Sequence, residues 1–335
     1  MLVPWISPQT GFVPGSPAES VRWNPPTMLI DYAAITHSGR VRKNNEDAYL
    51  VSALDGEEPL VNGLRPHSPI RQTGILAAVA DGMGGAASGE IASREGLASL
   101  AVGLFGRWGR FPAAKAVESD LLRALKQSAE AASKAVARYA DAERASRGMG
   151  STLTAAVIWN GYAYLAQVGD SRAYLFRAPG MVLLTEDQTL VRELINQGTI
   201  TPEQARMHPQ RSVITQALGG PEPIRVALGK VTLRRGDRLL LCTDGLHGEL
   251  RDARLEEILA MGLPAQGTLE LMLEEALKSG GRDNITALLL ELTDSAFPLP
   301  VAGEGVRVVE PALPAAPAEA PRLLARLGRI LGRNT

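Results

Sequence analysis

Four apolar runs in this chain meet an aspartate beside a glycine: Asp81 in AVADGMGG, Asp170 in AQVGDSR, Asp244 in LLCTDG and Asp283 in GGRDNIT. Runs such as ILAAVA and RLLLCT belong inside a sheet, and a carboxylate at the end of a buried strand is costly to desolvate unless a positive charge lies beside it. A divalent cation is the simplest such charge. With the Glu46-Asp47 pair in RVRKNNEDAYL, the four acids read as ligands of one metal centre assembled from distant segments. A single Asp before Gly is ordinarily a turn or cap residue. The recurrence of strand, acid and glycine in four places is what points to a site.

A donor set made of carboxylates selects hard cations, magnesium or manganese. His37, His67, His208 and His247 lack ligand-like spacing, and the one cysteine, Cys242, lies inside an apolar run, so zinc is disfavoured and Cys242 reads as core. No acidic loop of the EF-hand kind is present. Two cations about 3.5–4 Å apart lower the pKa of water and clamp the entering and leaving oxygens of a displacement at phosphorus. Phosphoester hydrolysis is therefore the expected chemistry. Arg42, four residues before Glu46, supplies the planar fork that holds phosphate oxygens.

At 335 residues the chain can bury one large domain or two small ones, and a formal net charge of −1 argues against a nucleic-acid binder working through a broad basic face. The lack of an apolar stretch of about 18 residues and of a secretory leader leads to an expected cytoplasmic location. Residues 1–27, rich in Pro, Gly and Ser, are expected as a disordered leader. Short apolar runs from Met28 read as strands, and two Ala/Leu-rich stretches starting near Ser88 and Lys115 as long helices. Asn160-Gly161 is the strongest hairpin signal. Further helices are expected at TLVRELINQG, after Thr201-Pro202, and at RLEEILAMG and TLELMLEEALKSG; strands are expected at RLLLCT and NITALLLEL. Strands grouped in meanders with helices in separate pairs favour an α+β layered fold. Residues 295–319 read as a Pro/Ala-rich linker. Residues 320–335, with Arg322, Arg326, Arg329 and Arg333 off an apolar face, read as a basic amphipathic helix, either a terminal helix packed on its own domain or frayed, or one that docks on a membrane surface or a partner.

Seven blocks, RVRKNNEDAYLV, AAVADGMGG, GMGSTLTAAVI, YLAQVGDSRAYLF, TITPEQARMHPQRSVITQALGG, GDRLLLCTDGL and GGRDNITALLLEL, follow one another in the order of a known family. On them the chain resembles the metal-dependent protein serine/threonine phosphatases of type 2C, the PPM class, in their bacterial form, over about residues 28–294. The resemblance implies a four-layer α-β-β-α sandwich, two antiparallel sheets flanked by helix pairs, with a binuclear manganese or magnesium centre at one end. It implies Asp47, Asp81, Asp244 and Asp283 as ligands, Asp81 bridging, the Gly82 carbonyl contributing, and Glu46 acting through water. Asp170, with Asp244, would hold a third, weaker ion. Arg42, Asp47 and Asp81 carry the catalytic expectation, with Arg42 on the substrate phosphate.

A flap from about Gln188 to Gly220 is implied beside the cleft, with Ser212 in its HPQRS block; His208 reads as a surface residue. Where eukaryotic members have a histidine proposed as general acid, this chain has Met83, which leaves the proton donor unassigned. The reading is a monomeric enzyme dephosphorylating Ser/Thr phosphoproteins in opposition to a bacterial Ser/Thr kinase. Two alternatives stand beside it: a phosphatase of a partner-switch regulator, and a non-catalytic pseudophosphatase scaffold.

Overall fold

Residue by residue, the run ILAAVADGM alternates between two apolar environments. In strand β4 (Ile75–Met83), Ile75, Ala77 and Val79 enter a cluster shared between two sheets, while Leu76, Ala78 and Ala80 enter one shared with helices. A strand buried on both faces reads as a continuous apolar run rather than an alternating one. The computed structural model describes residues 28–54, 68–70, 74–84, 88–109, 117–143, 146, 148–301, 303–311 and 313. The expected leader, most of the polar loop around residues 55–73, and the C-terminal helix lie outside the described residues.

One sheet has the order β3 (Ser68–Ile70), β1 (Met28–His37), β12 (Ile285–Glu291), β11 (Arg238–Cys242), β8 (Arg172–Arg177), β9 (Gly180–Leu183). The other runs β10 (Ala227–Thr232), β7 (Tyr162–Val168), β6 (Leu153–Trp159), β4, β2 (Asp47–Ala53), with β5 (Gly150–Ser151) paired to β4. The pairings among these strands are antiparallel. Asn160 and Gly161 turn β6 into β7 with φ of 51° and 77°, the left-handed pair that a two-residue hairpin requires.

Helices α1 (Ser88–Leu104) and α2 (Glu118–Ala142) cover the second sheet, burying Leu97, Leu100, Leu121 and Leu125 against Leu76 and Leu153. Across the molecule, α6 (Asp252–Ala260) and α7 (Ala265–Ser279) cover the first sheet through Leu255, Ile258, Leu269 and Met272, packed on Leu240 and Leu289. The result is the expected four-layer α+β sandwich. Cys242 is buried in the helix-facing layer, and burial pushes its thiol pKa up. Among the described residues no helix is long and apolar enough to cross a membrane.

Between β9 and β10 the chain leaves the sheets for the flap. There α3 (Leu190–Asn196) starts at Thr189, whose side chain accepts from Arg192 N–H. The next helix, α4 (Pro202–Arg206), starts at a capping box formed by Thr201 and Gln204, with Pro202 in the first turn. Thr201-Pro202 thus does the local work its sequence suggested.

The stretch expected as a linker differs in its described part. Phe297 is fully buried between the sheets, Glu304 pairs with Arg234 through two bonds of 2.6 and 2.8 Å, and Val309 exchanges backbone bonds with Lys230 on the edge of β10. Packing therefore runs past Asp294. The segment has no helix or strand period, and its anchors are isolated side chains that a compositional reading passes over.

Candidate metal centre

Register brings the first two acids together. Asp47 opens β2 and stands directly opposite Asp81 on β4. Like charges opposite one another in an antiparallel pair destabilise it, and Asp47 is only 7% exposed. Asp244 arrives from the other sheet, where β11 ends at Cys242 and a short helix, α5 (Asp244–His247), begins. Asp283 precedes β12 on the loop that follows α7, and Asp170 sits on the turn between β7 and β8. Both sheets thus direct acids to the same end of the sandwich.

The glycines beside these acids have a steric reason. A Cβ on Gly82 would lie 2.0 Å from the Gly89 carbonyl oxygen and 2.6 Å from that of Glu46, and one on Gly245 would lie 1.9 Å from the Asn284 carbonyl oxygen. Only glycine lets these backbones approach so closely. The acid-glycine pairs are therefore points where separate segments converge.

The acids border a cleft of about 430 Å³ lined by Arg42, Glu46, Asp81, Gly82, Asp170, Asp244 and Asp283, with Lys43, Met83 and Asn284, and with Ser212 and Ile214 from the flap. Asp47 is not part of this lining. It lies beneath, with Oδ2 accepting a 2.7 Å bond from the Thr243 hydroxyl. Arg42 reaches across 241 residues of sequence to donate from Nη2 to Asp283 Oδ2 at 2.7 Å.

Electrostatically the acids outnumber the two cations of the cleft among the described residues, Arg42 and Lys43. Burial, then repulsion from Asp244 and Asp283, pushes Asp47 up to about 7 despite its bond from Thr243. Burial and the neighbouring carboxylates also raise Asp81, Asp170 and Asp244, the first two well above the usual carboxylate range. Glu46 is raised by burial, with Arg42 opposing. Asp81 and Asp244 lie close enough to repel one another. Asp47 Oδ1 and Asp244 Oδ1 are buried without a hydrogen-bond partner among the described residues. Buried carboxylate oxygens with no donor are what cation ligands look like before a cation is considered.

Among the described residues, no three acids, histidines or cysteines are drawn into a closed shell around one point. The set is convergent rather than closed. Its oxygens nevertheless fit a hard divalent ion by type, number and uncompensated charge.

Several positioning residues escaped sequence reasoning. Asn284 accepts from Glu46 N–H at 2.8 Å and donates to the carbonyls of Ser38 and Asn44, so one side chain pins the whole loop that carries Arg42 and Glu46. Its signal was a polar residue at the threshold of a core strand. Thr152 ties Asp81 in place by accepting from its N–H, and Thr152 N–H donates to the Asp81 carbonyl. Behind Asp170, Arg172 grips Asp187 with bonds of 2.8 and 2.6 Å that outweigh burial and hold that carboxyl below its usual pKa. Gln188 then clamps the flap to the same turn through Gly169 and to the far stem through Arg225.

Asn284→Ala frees the loop of Arg42 and Glu46 and leaves three backbone groups to find other partners. Any phosphoester hydrolysis by the cleft is expected to fall about ten- to a hundredfold, the scale of lost support behind a metal ligand. Steady-state kinetics beside a thermal melt checks this; unchanged kcat/KM would remove Asn284 from the account.

The sequence pattern described as Protein phosphatase 2C matches residues 67–284. A serine/threonine protein phosphatase of Mycobacterium tuberculosis, PstP, is 37% identical over 268 residues, covering 80% of this chain and 46% of PstP; this chain thus spans about half of that relative. The serine/threonine phosphatase stp of Listeria innocua is 34% identical over 256 residues, 76% of this chain and 93% of its own. Among solved structures, that of M. tuberculosis PstP/Ppp superposes with a TM-score of 0.65 at 36% identity, covering 79% of this chain and 99% of the other. The PstP catalytic domain in complex with two manganese ions gives 0.64 at 34% identity, covering 80% and 100%.

Proposed function

This chain belongs to the protein phosphatase 2C family, and from that premise we propose that it hydrolyses phosphoserine and phosphothreonine in proteins, using two manganese or magnesium ions. The observation that carries the reading is the gathering of Asp81, Asp170, Asp244, Asp283 and Glu46 beside Arg42 in one cleft, with buried carboxylate oxygens left unpartnered. Likeness to the manganese complex of PstP supports the choice of metal.

In this reading Asp47, Asp81, Asp244 and Asp283 would hold the ions, with the Gly82 carbonyl and Glu46 completing the set; Asp170 and Asp244 would hold a weaker third. When bound, the ions supply Lewis acidity that lowers the pKa of water and offsets charge on the phosphoryl oxygens. Arg42 orients the phosphate. Its Asp283 bond fixes the guanidinium at the cleft wall and leaves further N–H groups to fork onto phosphate oxygens. Asp47, behind the cleft and bonded to Thr243, stands opposite Asp81 in the strand register. Met83 lines the cleft and has no proton to give, so we assign protonation of the leaving serine or threonine oxygen to solvent.

A bacterial Ser/Thr kinase is the natural opponent of such an activity, and a partner-switch regulator would differ only as substrate. A pseudophosphatase would have no use for the full acid set with its arginine. Manganese-dependent release of phosphate from a phosphothreonine peptide by the purified chain tests the proposal.

A further inference from the structure

Two cations line the cleft among the described residues, Arg42 and Lys43, and they stand in different situations. Arg42 is bonded to Asp283 at 2.7 Å. Lys43 is exposed and makes no hydrogen bond or ion pair among the described residues. Its backbone is nonetheless fixed, because Asn284 binds the Asn44 carbonyl on one side and the Glu46 N–H beyond it. Arg40, three residues earlier on this loop, is exposed as well. An ammonium unpaired among the described residues, on a pinned loop beside the cleft, is poised for an anion brought by a substrate.

That anion is unlike the phosphate. Arg42 is turned onto Asp283 at the acid cluster, and Lys43, the next residue, is exposed and lines the same cleft. An extended peptide advances about 3.3 Å per residue, so a side chain one or two residues from the phosphoresidue falls within reach of a lysine beside Arg42. We propose that Lys43 is a specificity-determining residue that favours substrates with an acidic residue one or two positions from the phosphoserine or phosphothreonine. The inference rests on the phosphatase reading.

The test uses the full chain with manganese and two phosphothreonine peptides that differ only in Glu or Ala at the flanking positions. Wild type is expected to favour the Glu peptide about two- to fivefold in kcat/KM, the range of a solvent-exposed ion pair, with the preference shrinking as salt is raised. Lys43→Ala should bring the ratio to about one, Lys43→Arg should keep it, and Lys43→Glu should invert it; thermal melts establish that each variant is folded. Equal rates on the two peptides in wild type, or a preference that survives in Lys43→Ala, would overturn the inference while leaving the phosphatase reading intact. Hydrolysis of neither peptide by wild type would sink both.

Discussion

Asp81→Asn and Asp244→Asn are each expected to cut manganese-dependent hydrolysis of a phosphothreonine peptide by about a hundred- to a thousandfold, the scale on which one preorganised charge-stabilising group acts. The same substitutions should raise the melting temperature of the chelated protein at pH 8. The two effects share one cause. Asp81 and Asp244 are largely withdrawn from solvent and press on each other and on Asp47. An amide keeps the shape and removes one charge from a crowded set of carboxylates that Arg42 offsets only in part. Kinetics with manganese and melts in chelator, run on the same preparations, read both effects. A variant that lost activity and stability together would indicate ordinary unfolding, and one that kept full activity would remove its acid from the site.

The second large effect concerns pH. In chelator, stability is expected to rise as pH falls from about 8 to about 6.5. Asp47 titrates near 7 in the folded chain against 3.8 ordinarily, and Asp81, Asp170 and Asp244 are also raised. Across this window the folded chain therefore binds more protons than the unfolded one, and stability must fall as pH rises. His247 works the other way. Burial lowers it from 6.5 to about 3, so its neutral form is favoured and stability is lost as pH drops below 6.5. Above that pH the acids act alone. One extra bound proton over the window is worth about 2 kcal/mol, or roughly 4–8 °C for a domain of this size. Manganese should reverse the slope, because a cation binds the deprotonated acids and stabilises the fold more as pH rises. Melts at pH 6.5, 7.2 and 8.0 with and without manganese check this; slopes of the same sign in both conditions would show that the cluster does not take up the ion.

Much of the architecture was legible because the strands are buried on both faces. Ile75–Ala80 and Arg238–Cys242 could be read as strands from composition and length, and Asn160-Gly161 named its own turn. The acids were legible for a related reason, since a charge at the end of such a run needs an explanation within the site. Two things were hidden. Partnerships across long separations leave no local trace: Arg42 with Asp283, Asn284 with Asn44, Lys230 with Val309. Depth was hidden too, because the sequence presents Glu46 and Asp47 as a pair, whereas β2 puts Glu46 on the cleft and Asp47 beneath it. The anchoring of Phe297 was missed because one aromatic in a Pro/Ala-rich stretch has no period to betray it.

The central claim is that these carboxylates form a divalent-cation site whose purpose is phosphoester hydrolysis. Its most direct measurement strips the purified chain with chelator and follows phosphate release from a phosphothreonine peptide as manganese is titrated back. The account predicts release that is absent in chelator, returns with manganese until it saturates, and does not return in Asp81→Asn. Release at full rate in chelator, or saturable manganese binding with no release at any concentration, would contradict it.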